Sequence, residues 1–390
     1  MAEAEPLRPL PRYGEAALAD LVPALMHALG ADEFPDPLGL DPLNSVALLV
    51  VDGLGFELLR ERAASAPFLS GTALRAVPLT AGFPATTAAS IASIGTGRPP
   101  GEHGLVGYTV WLPGEEGALN MLTWAPYGVR GGAGDTIHRL LPEEVQPDPT
   151  AFERAVSSGI DVVLIGPRLH SHSGMTRAVL RGGRYRPAIS LADTALQIVE
   201  ALGERGRRFV YAYHPDLDAV GHLRGTASEA WTLQLADIDR TAALVAERLP
   251  AGSALVVTGD HGMIDLPPRS RVDVDDHPEL SAGLRLLAGE ARARHLHVRD
   301  GAVEDVLSAW RAHLGDRMWI VSREQAIEEG WFGPIVPARI RARIGDVLAA
   351  AHGDVGVFQR SVDPAQARMM GHHGSMTAAE QLVPFVMVRR

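Results

Sequence analysis

The feature that most constrains this chain is a set of short β-branched or apolar runs, each ending abruptly in a polar loop. They are Val46–Val51, Val162–Ile165, Phe209–Tyr213 and Ala254–Val257. Runs of this length, stopped by Asp, Gly, His or Pro, read as buried strands. Between them lie helical patterns: Ala192–Gly203, and a longer segment from Ser228 in which Trp231, Leu235, Ile238, Ala242, Val245 and Leu249 recur at spacings of four and three. That stripe is one buried helix face. Strands alternating with helices predict an α/β fold, with a largely parallel sheet sandwiched by helices. Ligands in such sheets gather on loops beyond the carboxyl ends of the strands.

From about Pro267 to Arg360 the elements become shorter and richer in Arg: HLHV, a helix over Val303–His313, MWIV, then GPIVP and AHGDVGVF. This change predicts a smaller inserted cap over 267–360. The α/β core is then formed by 1–266 and 361–390, with the closing GHHGSMTAAEQLVPFVMV supplying a loop, helix and strand that rejoin it. A chain of 390 residues with 46% hydrophobic content can bury a core of that size.

Composition removes several chemistries. No Cys occurs, so disulfides, thiolate metal sites and cysteine nucleophiles are excluded, and a metal site must be built from Asp, Glu and His. All 36 basic side chains are Arg, which excludes Schiff-base chemistry and a P-loop lysine. A net charge of −11 argues against a nucleic-acid polymer as partner, because neutralising a phosphate backbone needs clustered cations. A small anion held by metals stays open. The stretch MAEAEPLRPLPRYGEAAL lacks the basic start and apolar run of a secretory signal, and no run approaches the ~20 apolar residues of a bilayer span. A cytoplasmic location without a membrane is the expectation.

Five clusters carry the chemistry. In LLVVDGLGFELL, Asp52 follows a strand directly and glycines allow a sharp turn; an Asp-Gly turn explains the same residues. In FPATTAASIASIGTG, a threonine opens a helix, where Thr86 or Thr87 serves as N-cap or faces an anion drawn to the helix end. In YAYHPDLDAVGHLRG, Asp218 and His222 stand four apart, able to share one ion, with Asp216 as rival. ALVVTGDHGM brings Asp260 and His261 to another strand end, and GHHGSM offers His372 and His373. Five such loops, three of them at predicted strand ends, point to a single site. The remaining histidines are read as structural: His295 and His297 on a strand, His277 beside Asp276 in the cap, His170 and His172 in a loop.

The order and spacing of these clusters resemble the type I phosphodiesterase and nucleotide pyrophosphatase branch of the alkaline-phosphatase superfamily. The match covers Val46–Gly262 and the late His-Gly motif. It implies an alkaline-phosphatase-like fold and a phosphoric diester hydrolase. It also implies two divalent cations, one held by Asp52, Thr87, Asp260 and His261, the other by Asp218, His222 and His373. Thr87 is then the nucleophile, preferred over Thr86 by its distance from Thr96, Gly97 and His103. His373 is preferred over His372 because Gly follows it. Ser90 stands where the family usually carries an Asn that binds the phosphoryl group, and His214 replaces a common acid. The run GTGRPPGEHGLVGY and the ending HHGSMTAAEQLVP are more similar to bacterial cytoplasmic cyclic di-AMP phosphodiesterases. That likeness implies a cyclic dinucleotide substrate, cleaved to pApA and AMP, with Mn2+ as working ion and Zn2+ as alternative.

A threonine hydroxyl is barely ionised at neutral pH, so coordination to a cation is the expected route to its alkoxide. Three aspartates against two dications leave a charge of +1, which suits an anionic substrate. The competing readings are a phosphonoacetate-type phosphonate hydrolase, a phosphomonoesterase and a nucleotide-binding sensor without activity. Substrate contacts are expected from the cap.

Overall fold

The computed structural model describes residues 9–128 and 136–390. Residues 1–8 of the N-terminal stretch discussed above lie outside these. All four predicted strands form, each slightly longer than its apolar run: β1 (Ser45–Val51), β2 (Asp161–Pro167), β4 (Arg208–His214) and β5 (Ser253–Gly259), with β3 (Arg184–Ala188) beside β2. A second group follows: β6 (Leu284–Glu290), β7 (Ala293–Val298), β8 (Met318–Ser322) and β9 (Val347–Ala351). β10 (Val386–Arg389) returns at the end of the chain.

The main sheet has the order β10-β5-β1-β4-β2-β3. Its first five strands in sequence run parallel, and β10, from the end of the chain, pairs antiparallel with β5. Alternation divides each strand between two faces. Val46, Leu48 and Val50 of β1 pack with the Leu18–Ala28 and Thr87–Thr96 helices, while Ala47, Leu49 and Val51 pack with the Leu191–Gly203 and Glu229–Glu247 helices. A sheet covered on both faces explains why the strands read as continuous apolar runs.

The Glu229–Glu247 helix is capped by Ser228, whose hydroxyl accepts from the Trp231 amide. Trp231, Leu235, Ile238, Ala242 and Val245 are its buried stripe; Leu249 is buried too but lies beyond the helix end.

Within 267–360, β6 to β9 make an antiparallel sheet of order β6-β7-β9-β8. One face packs on the Val303–Leu314 helix around Leu296, Ile320 and Trp310. The opposite face contributes Ala293, Trp319, Val321, Leu348 and Ala350 to the core that also holds Leu48 and Ile91. The segment therefore shares its apolar interior with the main sheet.

Candidate active site

Strand register builds the site. Val51 of β1 pairs with His214 of β4 and with Gly259 of β5, so the residues that follow, Asp52 and Asp260, leave the sheet side by side. The turn after β1 closes tightly: Gly53 has φ +74°, and a Cβ there would stand 3.0 Å from the Asp218 backbone. Only glycine fits both demands. Its amide donates to Asp260 Oδ1 at 3.0 Å, which locks the first acid loop to the fourth cluster.

The two threonines separate by one residue of backbone. Thr86 is the extended N-cap residue, and its neighbour Thr87 is the first residue of the helix. Thr87 Oγ1 lies 3.1 Å from His261 Nε2 and 3.5 Å from Asp52 Oδ1. Thr86 instead meets the buried carboxyl of Glu290, on the far end of β6.

Seven of the eight residues singled out from the sequence come together. The donor atoms of Asp52, Asp260 and His261 all lie within 4.8 Å of one another, and so do those of Asp218, His222 and His373. The two groups adjoin, because the His261 and His373 rings stack with centroids 3.6 Å apart. His372 turns away toward the Met369 carbonyl, and Asp216 faces solvent. His214 sits 3.1 Å from the Gln234 amide nitrogen, with no place in either group. Ser90, the eighth residue, is fully buried with an unpartnered hydroxyl and does not line the cavity described below.

The donors are prepared in a consistent way. Nδ1 of His222, His261 and His373 lies 2.8, 3.0 and 3.0 Å from the carbonyls of Gly371, Gly262 and Ala85. A carbonyl only accepts, so each Nδ1 carries a proton and each Nε2 is the atom that faces the acids. Asp260 Oδ1 accepts from two backbone amides, Gly53 and His261, while Oδ2 has no hydrogen-bond partner; Asp218 Oδ1 is likewise unpartnered and buried. Tyr213 donates its phenol to Asp52 Oδ2, leaving Oδ1 toward Thr87.

Electrostatics point the same way. Burial, reinforced by the charges of Asp260 and Asp218, raises the Asp52 carboxyl well above the usual range, and burial raises Asp260 as well. Burial also acts against ionised Asp218, but His222, His373 and His261 outweigh it and hold that carboxyl low. Among the described residues these three acids have ion pairs only with histidines. Three crowded carboxylates, two of them with an orphaned oxygen, beside three imidazole Nε2 atoms form a donor set that fits divalent cations.

A cavity of about 200 Å³ opens beside Thr87. Its walls include Ile91, Ile165, His170, Met175, Tyr185 and Tyr213. None of its lining residues comes from 267–360: the wall is made by the main sheet, the Thr87–Thr96 helix, Leu122 and the loops after β2 and β4. His170, read from the sequence as a loop residue, lies in it. Tyr213 was missed, although its alternation with Tyr211 along β4 places both on the Thr87 side of the sheet.

A family model described as type I phosphodiesterase / nucleotide pyrophosphatase matches residues 46–376. The chain is 30% identical over 138 residues to a phosphopentomutase of Anaeromyxobacter dehalogenans (strain 2CP-C), covering 35% of this chain and 33% of that relative. The match thus spans about a third of the relative's length. Murine ectonucleotide pyrophosphatase / phosphodiesterase 5 is similar with a TM-score of 0.67, 16% identity and 88% of each chain covered. Phosphonoacetate hydrolase from Sinorhizobium meliloti 1021 is similar with a TM-score of 0.64 and 18% identity, covering 89% of this chain and 91% of the other. At these identities the likeness is one of fold. The family match runs from β1 through the loop that carries His373, and the chain belongs to the type I phosphodiesterase / nucleotide pyrophosphatase family.

Proposed function

We propose that this protein hydrolyses a nucleotide phosphodiester, with Thr87 as nucleophile and with Asp52, Thr87, Asp260 and His261 holding one divalent cation and Asp218, His222 and His373 a second. The observation that carries this reading is the Thr87 hydroxyl, set on the first residue of a helix between Asp52 and His261 of the first donor group, which adjoins the second through the stacked His261 and His373 rings. Bound divalent cations would supply the positive charge that favours ionised Thr87 and offsets charge on the phosphoryl oxygens. Thr87 Oγ1 forms the bond to phosphorus as the P–O bond to the first alcohol breaks, and water then releases the phosphothreonine ester. The helix N-terminus adds a favourable field for the anion. Tyr213 and the backbone amides of Gly53 and His261 hold the carboxylates in place throughout.

The aromatic and apolar cavity supports a substrate with a flat ring on one arm of the diester. In the murine neighbour, an inactive threonine-to-alanine variant is described in complex with AMP, which agrees with a nucleotide beside a threonine. Cyclic di-AMP, cleaved to pApA and AMP, is our specific assignment, with Mn2+ as the working ion and the cytoplasm as location. Among the described residues no helix is long and apolar enough to cross a membrane.

Phosphonate hydrolysis is the second reading, favoured by the fold shared with phosphonoacetate hydrolase. Among the described residues no Arg lines the cavity to receive the carboxylate of phosphonoacetate, which supports the diester. Turnover of bis(p-nitrophenyl) phosphate, p-nitrophenyl phosphate and phosphonoacetate, each with Mn2+ or Zn2+, separates the classes, and a panel of cyclic and linear dinucleotides follows. Diester turnover dominating supports the proposal; phosphonoacetate or monoester turnover dominating, or none with any substrate, refutes it.

A further inference from the structure

Away from Thr87, the 267–360 segment gathers two imidazoles and a carboxylate on its surface. His277 precedes the short Pro278–Ser281 helix, Glu279 lies in that helix, and His313 stands in the last turn of the Val303–Leu314 helix. Glu279 Oε1 is 3.4 Å from His277 Nδ1 and 3.3 Å from His313 Nδ1. The two rings meet edge to face with centroids 4.5 Å apart, and the three donor atoms lie within 4.8 Å of one another. The supporting helices are fixed beneath: the Trp310 indole donates to the Leu280 carbonyl at 3.0 Å, and both side chains are fully buried.

These separations lie just beyond the usual N–H···O hydrogen-bond range of about 2.7–3.2 Å. They also match the spacing of metal ligands. Bonds of about 2.0–2.1 Å from a tetrahedral cation place neighbouring ligand atoms about 3.3 Å apart. Two nitrogens are presented to the same oxygen at that spacing, and the three donor atoms lie close enough together for one ion to sit between them.

We propose that His277, Glu279 and His313 form a cation site distinct from the Thr87 centre, for a borderline divalent ion of the Zn2+ class. Two nitrogens and one carboxylate oxygen select later first-row ions over Mg2+ or Ca2+, which prefer oxygen alone. The fourth coordination position belongs to water, because all three side chains are partly exposed and His277 also borders a surface cavity with Asp276 and Phe358. Asp276 does not join the tripod, being engaged by Arg360 at 3.4 Å. The bound ion clips the Pro278–Ser281 helix to the Val303–Leu314 helix. None of the three residues touches the Thr87 cavity or belongs to its donor groups.

The test is zinc stoichiometry on the full chain, by equilibrium dialysis with metal analysis, alongside zinc anomalous diffraction from crystals of the unaltered protein. The His277→Asn/His313→Asn double variant binds one zinc equivalent fewer than the parent, with an unchanged melting temperature in EDTA as its control for folding. Glu279→Gln retains the site with zinc affinity weakened at least tenfold, and the anomalous map shows a peak between the three side chains. Equal stoichiometry in parent and double variant, or an anomalous map without that peak, overturns the proposal. Neither readout depends on what reaction Thr87 performs.

Discussion

At the scale of single residues, the account rests on two adjacent threonines having opposite fates. Thr87 faces Asp52 and His261, whereas Thr86 faces Glu290. Thr87→Ala is expected to lower diester turnover by about 10³-fold or more while keeping its metal content, and Thr86→Ala to keep most of its turnover. Steady-state kinetics with metal analysis checks both. Asp260→Asn trades the free Oδ2 for a weaker ligand and is expected to lose bound metal and activity together. Glu290 offers a pH test. Burial raises its carboxyl from the usual value of 4.5 to about 8, so the folded state keeps a proton that the unfolded chain gives up earlier. Its contribution to stability is therefore fully present below pH 4.5 and lost as pH rises through about 8. Urea midpoints at pH 5 and pH 8.5 should fall more steeply with pH in the parent than in Glu290→Gln.

At the scale of elements, the loops work because strands in register end together and glycines let them touch. A Cβ at Gly262 would lie 2.0 Å from the Ala379 carbonyl oxygen. Gly262→Ala must displace either the Asp260–His261 loop or the 378–381 helix, with an expected cost of about 1–3 kcal/mol and reduced metal binding, read from chemical denaturation and metal titration. The parallel strands and three of the donor loops were legible in the sequence because the loops of Asp52, Asp218 and Asp260 each follow an apolar run, and register then makes them neighbours. Choosing Thr87 over Thr86 took a family resemblance, since helix capping favours both. The cavity was not legible: Ile91, Ile165, Met175 and Tyr185 sit on separate elements and read in sequence as ordinary core residues. Leu249 shows the converse, an apolar stripe that outruns its helix because the turn after the helix is buried as well.

At the scale of the molecule, the 267–360 segment was legible as a change in composition but not in its role. Its sheet presents one face to its own helix and the other to the main core, and no one-dimensional pattern tells which face meets what. A buried ion pair joins it to the site. Arg292 holds Glu380 through two hydrogen bonds of 3.0 and 2.6 Å and also donates to the Val355 carbonyl. Glu380 in turn accepts from the Ser375 amide beyond His373, and its carbonyl accepts from Gly262 beyond His261. Removing one partner strands the other charge, so Glu380→Ala is expected to cost about 3–5 kcal/mol and to weaken metal binding at loops it does not itself enter. Denaturation and metal titration of that variant check both effects.

The central claim is that Thr87 bonds to phosphorus. Acid quenching of the metal-loaded protein during turnover of bis(p-nitrophenyl) phosphate, followed by peptide mass spectrometry, tests it directly. The account predicts a phosphoryl ester still bearing one substrate arm on Thr87, absent from Thr87→Ala. Steady turnover with that adduct on another residue, or full turnover by Thr87→Ala, would contradict it.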